Sequence, residues 1–520
     1  MDGKITVEFP PALEDEPAVD EPSRRIDSCA ENEKNIIEQR RNELETVSNG
    51  DLDNEKLQTK HRQIPTSSEL STTTLKSSLF SGVILAYWDN IMGPMISRIW
   101  KGNQKVDITK DMINYVSNHT LSGELCRQTD RHTIDPKFYV LPELGYMFFA
   151  VIFTGHSSMG ETISSLSFVM AYTDLDCYLL LQEFIYEHVK VMVLKYRILQ
   201  HKDLIASVQS FATYLQSFVK VIDSLQHLSL PSKICINDTV FGESKAVTNA
   251  ELLNSKFLMR AITSYIQTCG CAVVVGTSIE KINLMLSTLA VFLGEPERYC
   301  SRKASSDESV TYQRDLWLQG ILWKKHGDEV GSIKLPVSSK DVILSSRPVT
   351  MIDVDEKTVL QTSILNEHCS TQKEFLKLEL SLLLQGEEAP VYPILNLFHD
   401  FQEISTLAQQ FISEVFAVPN HCSLRQTYIE NFISMLEHKS KALLSYVEAK
   451  SEQGTCIVDH VQLRLMKQDL QLISDSDFKM VLAWAEKLRP GVASFLLGDP
   501  MKQDLMIKNA DAMHHFATMR

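Results

Sequence analysis

In the first folded part of the chain the spacing of apolar residues changes near Tyr172, and that change limits the fold class. From Leu79 to Tyr172 the apolar residues fall in short runs, Ser81–Trp88, Met95–Trp100, Phe138–Leu141, Gly145–Thr154 and Leu166–Tyr172, separated by polar loops. Runs of this length, rich in β-branched and aromatic residues, predict strands. Between the first two, Asp89-Asn90 and Gly93-Pro94 are turn formers, so the pair reads as a β-hairpin. Beyond Tyr172 the spacing is helical. Leu181, Phe184, Ile185, Val189, Met192 and Tyr196 share one face. Leu204, Val208, Phe211, Leu215, Phe218, Ile222 and Leu225 alternate four and three apart, as in a coiled-coil seam. A sheet followed by two such helices predicts an α+β or α/β layer, with the helices packed on their own sheet rather than on a partner helix.

A second α/β unit follows a polar stretch, 227–252, that reads as a linker. Leu258, Ala261, Ile262, Tyr265 and Ile266 line a helix face, and Cys271–Val275 is a continuous apolar run of the kind found in strands buried on both faces. Thr277 and Glu280 have the T-x-x-E spacing of a capping box, and Gly294 stands where the next helix is expected to end. Further strands are expected at Leu316–Leu322, Ser332–Pro336, Val342–Ser346 and Val349–Val354. From about Gln372 the pattern is helical. One stripe contains Ile404, Leu407, Phe411, Ile412 and Val415, and a longer one runs from Leu424 to Val447. A last helix is expected at Asp477–Leu488, stopped by Arg489-Pro490-Gly491. Residues 1–77 are polar and acidic, too poor in apolar area to offset their ordering entropy, and are expected to be a disordered tail.

The formal charge is −15 over 520 residues, which argues against nucleic acid as a partner. The first residues lack the apolar core of a signal peptide, and no apolar window reaches the roughly 20 residues of a membrane span. The expected location is therefore the cytosol or nucleus, with ten scattered cysteines held as free thiols.

Reactive motifs are scarce. Gly155–Thr162 has the glycine spacing of a phosphate loop, but Glu161 stands where the lysine belongs, so a strand-to-strand connection is the preferred reading. Gly276 is a lone glycine at a strand-to-helix junction. Cys269 and Cys271 have no second pair to complete a zinc site, and buried thiols are expected there. Arg98, Arg127 and Arg131 could each serve as a GTPase-activating finger by residue type alone, yet a solvated surface arginine is the commoner case.

Several strings are distinctive. Ala86–Pro94, Asn118–Glu124 (NHTLSGE), Gln267–Gly276 (QTCGCAVVVG), Met351–Asp355 (MIDVD), Lys441–Leu443 and Ala485–Gly491 resemble, in order, blocks of the longin–DENN family of chromosome nine open reading frame seventy-two. The resemblance implies a longin domain at 78–226, a linker at 227–252, a central DENN part at 253–360, a helical DENN part at 361–502 and a tail at 503–520. It implies a guanine nucleotide exchange factor for Rab or Arf family GTPases, acting in endosomal trafficking and autophagy at endosomes, autophagosomes or lysosomes. Implied partners are a second longin–DENN protein, the Smith–Magenis syndrome chromosome region candidate eight product, and a WD-repeat protein. The alternative is a scaffold subunit of a GTPase-activating complex whose catalytic arginine lies on the partner. Exchange needs no acid, base or nucleophile, so no catalytic residue, cofactor or metal is expected. On this reading Trp88, Asp89, Asn90 and Arg98 are the candidate partner or GTPase contacts, while Trp88 equally suits the domain's own core.

Overall fold

The computed structural model describes residues 72–103, 105–122, 134–157, 160–242, 255–306, 311–323, 337–387, 397–419, 422–452 and 460–498. The first sheet contains β1 (Thr72–Thr74), β2 (Phe80–Asp89), β3 (Gly93–Lys101), β4 (Ile134–Leu141), β5 (Tyr146–Ser157) and β6 (Gly160–Ala171), in the order β1-β3-β2-β6-β5-β4. All its neighbours are antiparallel except β1 with β3. Alternate residues divide between two cores, as the strand period requires. Ile84, Ile99, Phe148 and Val169 pack under helix α1 (Lys110–Leu121), and Val83, Trp100, Phe149, Val151 and Phe168 face the opposite way.

On that second face lie α2 (Leu175–Lys202) and α3 (Leu204–Leu228), the two helices expected from the spacing. Phe211 packs on Trp100 with ring centroids 5.4 Å apart, and Tyr178 packs on Phe149 at 6.2 Å. Their apolar stripes therefore cover their own sheet. Helix α2 also has a second contact surface, described below.

The second sheet has the order β11-β10-β9-β7-β8, formed by β7 (Ala272–Gly276), β8 (Leu318–Leu322), β9 (Thr350–Asp353), β10 (Thr358–Gln361) and β11 (His399–Asp400). Central β7 runs parallel to both β8 and β9. Cys271, Val273 and Val275 enter one apolar cluster and Ala272 and Val274 another, so the strand is covered on both faces. Around it lie α4 (Ser255–Gln267), α5 (Ile279–Ala290), α6 (Glu295–Tyr299) and α7 (Ser339–Ile343), followed by α8 (Leu365–Gln385). The remaining helices are α9 (Thr406–Ala417), α10 (Cys422–Glu452), α11 (His460–Asp469), α12 (Asp475–Leu488) and α13 (Val492–Leu497). Buried Asp477 ties this helical part together. Its carboxylate accepts from Ser405 Oγ at 2.5 Å, Thr406 Oγ1 at 2.6 Å and Ser474 N at 2.9 Å, pinning the starts of α9 and α12.

Five expectations are corrected. Thr72–Thr74 lies inside the stretch read as tail, yet it pairs with Ile99–Lys101, and Leu75 behind it is buried. Residues 229–242 of the expected linker are packed: Phe241 lies against Phe411, its carbonyl accepts from Arg425 Nη1 at 2.6 Å, and Val240 N donates to Thr288 Oγ1 at 2.9 Å. Val342–Ser346 is not a strand, because Ser338 caps the short helix α7 there and buries Val342 and Ile343. Ser278, not Thr277, caps α5, because Asp355 holds both the Thr277 amide and its hydroxyl, at 2.6 and 2.9 Å. Gly294 opens α6 instead of closing α5, with its N–H donating to Glu297 at 2.8 Å. The expected strand Ser332–Pro336 lies outside the described residues.

The second surface of α2 meets α6 and α8. Cys177 Sγ lies 3.2 Å from Tyr299 OH, and Cys300 Sγ donates to Leu180 O at 3.4 Å. Lys195 pairs with Glu379 of α8 at 2.9 Å, with only 10% and 7% of the two side chains exposed, and Lys340 reaches the same carboxylate at 2.6 Å. Burial pushes the Glu379 carboxyl up, but the two ammonium groups outweigh it and hold it below the usual range. Lys195 is also held below its usual value, by lost hydration, as it shares one carboxylate with Lys340. Removing one member of such a pair leaves a buried charge. Glu379→Gln is expected to lower the unfolding free energy by about 3 kcal/mol in urea titration at neutral pH. The unfolded carboxylate takes up its proton near pH about 4.3 and the folded one only at lower pH, so this contribution is complete above that value and fades as pH falls further. The wild-type advantage over Glu379→Gln should shrink in parallel on acidification.

Candidate contact surface at the first hairpin

The turn between β2 and β3 is built by one carboxylate. Asp89 Oδ1 accepts from the amides of Ile91 at 2.8 Å and Met92 at 2.9 Å. These two bonds, that from Met92 first, hold its carboxyl below the usual range. Gly93 then takes φ +79°, a left-handed conformation that side chains rarely adopt, and Asp89 faces Gly93 across the ladder. The half-buried Trp88 ring lies beside this glycine, 3.9 Å from where a Cβ would stand, and Thr162 Oγ1 donates to the Trp88 carbonyl from β6. The tip is thus held from both strands and from the neighbouring strand.

The fixed turn forces apolar groups outward. Ile91 is 83% exposed and Met92 71%, with Met95 beside them on β3 also exposed. Of the four candidate contact residues, Trp88, Asp89 and Asn90 belong to this tip, and Asn90 is exposed. Arg98 does not. It faces Leu85 four register pairs down the ladder, half-buried, with Nη2 3.4 Å from Thr73 Oγ1 of β1. The missed residues are Ile91 and Met92. Their signal was two large apolar side chains inside a turn, where no core position exists.

The other candidate motifs are structural. The glycine-spaced stretch is the β5–β6 hairpin, in which Ser157 faces Gly160, and a Cβ on Gly155 would lie 2.6 Å from Ser164 Oγ. Open α/β sheets bind ligands where strand order reverses, here at the end of β7. That position is filled from within: Asp355 takes the Thr277 donors, and a Cβ on Gly276 would lie 2.6 Å from Val354. Cys269 and Cys271 are buried, with thiols pushed up to about 12. His368 is buried with Nε2 2.8 Å from the Ser345 carbonyl. Arg127 and Arg131 lie outside the described residues. Among the described residues, no three His, Cys, Asp or Glu side chains gather into a metal-binding group, and no helix is long and apolar enough to cross a membrane.

The chain is thus of the mixed α/β class, with a fixed turn that presents Ile91 and Met92 to solvent. Comparison with known proteins gives that class a family. Residues 115–368 match the C9orf72-like protein family. The guanine nucleotide exchange factor C9orf72 of Homo sapiens is 33% identical over 458 residues, spanning 82% of this chain and 93% of that protein. The guanine nucleotide exchange factor C9orf72 homolog of Mus musculus is 33% identical over 448 residues, spanning 80% of this chain and 91% of its own length. The chain belongs to the C9orf72-like family.

Buried thiols with raised pKa are poor nucleophiles because only the thiolate reacts. Iodoacetamide at pH 8 is therefore expected to label exposed Cys235 in the folded chain. Cys269, Cys271 and Cys300 should be labelled only after denaturation, as read by peptide mass spectrometry.

Proposed function

We propose that this chain is a regulator of small GTPases of the guanine nucleotide exchange factor type, acting on a Rab or Arf family member in endosomal trafficking and autophagy. It works in the cytoplasm within a complex containing a second longin–DENN protein, the Smith–Magenis syndrome chromosome region candidate eight product, and a WD-repeat protein. That complex carries it to endosomes, autophagosomes or lysosomes. The observation that carries this reading is the alignment over 93% of a relative named as an exchange factor. A sheet-and-helix module followed by a second α/β sheet and a helical part also agrees with the longin–DENN order.

Exchange suits such a surface physically. An exchange factor binds the nucleotide-free GTPase more tightly than the loaded one and so shifts its population. This takes a firm template rather than a reactive group, and the hairpin tip supplies apolar contact area held by Asp89, Gly93 and Thr162. A second reading, a scaffold in a GTPase-activating complex, is favoured by Arg98. Its guanidinium is half-buried on Thr73 and not presented as a finger, in keeping with a catalytic arginine supplied by the partner.

The test is release of a fluorescent GDP analogue from a panel of Rab and Arf proteins, with the chain alone and with its co-purified complex. The expected result is acceleration of about tenfold or more for at least one GTPase, equivalent to about 1.4 kcal/mol of differential affinity. The double variant Ile91→Asp/Met92→Asp should weaken capture of the partner or GTPase while shifting unfolding by less than about 0.5 kcal/mol, as both side chains are exposed. No acceleration anywhere, together with faster GTP hydrolysis by the complex, would replace the first reading with the second.

A further inference from the structure

A cleft of about 440 Å³ opens where α2 meets the second sheet's surroundings. Phe149, Phe184 and Trp317 form its buried floor. Glu183 and Glu187, one turn apart on α2, stand at its mouth with side chains 79% and 38% exposed. The other two lining acids are already engaged. Asp315 accepts from Ser346 N at 2.7 Å, and Glu297 pairs with Lys487 at 2.8 Å. Arg347, the lining cation, lies on Trp317 with its guanidinium carbon 3.6 Å from the ring centroid and donates to the Asp315 carbonyl at 3.0 Å. It comes no nearer to Glu183 than 3.9 Å, and Lys190 comes no nearer to Glu187 than 3.8 Å. Both separations exceed hydrogen-bond length. The mouth is therefore acidic and weakly compensated, above an apolar and aromatic interior.

We propose that this cleft binds an organic cation, an ammonium or guanidinium group on an apolar body, with the charge between Glu183 and Glu187 and the body against Phe149, Leu180 and Phe184. The charge arrangement selects this class. An anion would meet two carboxylates at the entrance, and a neutral molecule would gain nothing from their charge. Burial pushes the Glu187 carboxyl up, and the nearby Lys190 and Arg347 do not bring it back to the usual range. Tyr186 adds a ring face beside it that already holds one cation, Lys190 Nζ, 5.8 Å from its centroid. The same chemistry could come from a free amine or from a basic side chain of a peptide, and the two sources are separable by experiment.

The test is calorimetric titration of the full chain with phenethylamine, its neutral counterpart 2-phenylethanol, and the peptide acetyl-Leu-Lys-Leu-amide. At least one of the two cations is expected to bind about tenfold more tightly than the alcohol, and Glu187→Gln should remove about that factor. Glu183→Gln should do so in part. The thermal midpoint of Glu183→Gln should match wild type, since that side chain is 79% exposed, and that of Glu187→Gln should not fall, since burial already disfavours its charge. Tighter binding of the peptide than of phenethylamine would assign the site to a protein's basic side chain, and the reverse to a free amine. Binding of the alcohol as tight as that of the cations, cation binding unchanged in both variants, or no binding of either cation would overturn the proposal.

Discussion

Helix α2 is buried on two sides, and the rest of the molecule depends on that. Its residues Tyr178, Leu181, Phe184, Ile185, Val189, Met192, Val193 and Tyr196 are all covered. At about 2 kcal/mol for each large apolar side chain, the stripe contributes on the order of 15 kcal/mol, an upper bound because the unfolded chain is itself partly compact. The Lys195–Glu379 pair lies on the same helix but does different work. A buried ion pair roughly breaks even against its desolvation, so it fixes how α8 sits along α2 more than how tightly. One apolar cluster accordingly runs from Leu75 in the first sheet's surroundings to Met480 in α12. Because that single cluster joins the surroundings of both sheets, they are expected to move as one body.

Most of this architecture was legible because it is written in spacing. The stripes of α2 and α3 and the continuous run of β7 each match one burial pattern, and each was read correctly as an element. What was not legible depends on residues far apart in the chain. Thr277 has the right spacing to cap α5, but Asp355, 78 residues later, takes its hydroxyl and amide, so Ser278 caps instead. Residues 229–242 look like a linker because their apolar residues follow no period. They are held by partners such as Thr288 and Arg425 that no local window contains. Val342-Ile343-Leu344 reads as a strand by β-branching, and the Ser338 cap turns it into a helix. Thr72–Thr74 is too short and polar to announce itself and becomes a strand only because β3 offers an edge.

The candidate surface was half legible for the same reason. Turn chemistry located Asp89, Asn90 and Gly93, since those residues act locally. That the turn would push Ile91 and Met92 into solvent follows from the two bonds Asp89 makes, which are a matter of geometry. Arg98 shows the converse. It was singled out by residue type as an arginine, but a strand advances about 3.4 Å per residue, so four register pairs carry it away from the tip and onto Thr73.

A rigid body with exposed apolar groups regulates differently from a hinged one. If the two sheets cannot separate, any difference in affinity for two states of a partner must come from the partner's own change of shape. The contact must then be specific in geometry, and a tip held by Asp89, Gly93 and Thr162 meets that need better than a free loop, because little conformational entropy remains to be lost on binding. The same rigidity applies to the cleft beside α2. Its walls come from both sides of the shared core, so its shape persists only while that core does. The cleft takes its walls from α2, the first sheet and the segments before β8 and β9, whereas the hairpin is held within its own sheet, so the two surfaces rest on separate contacts.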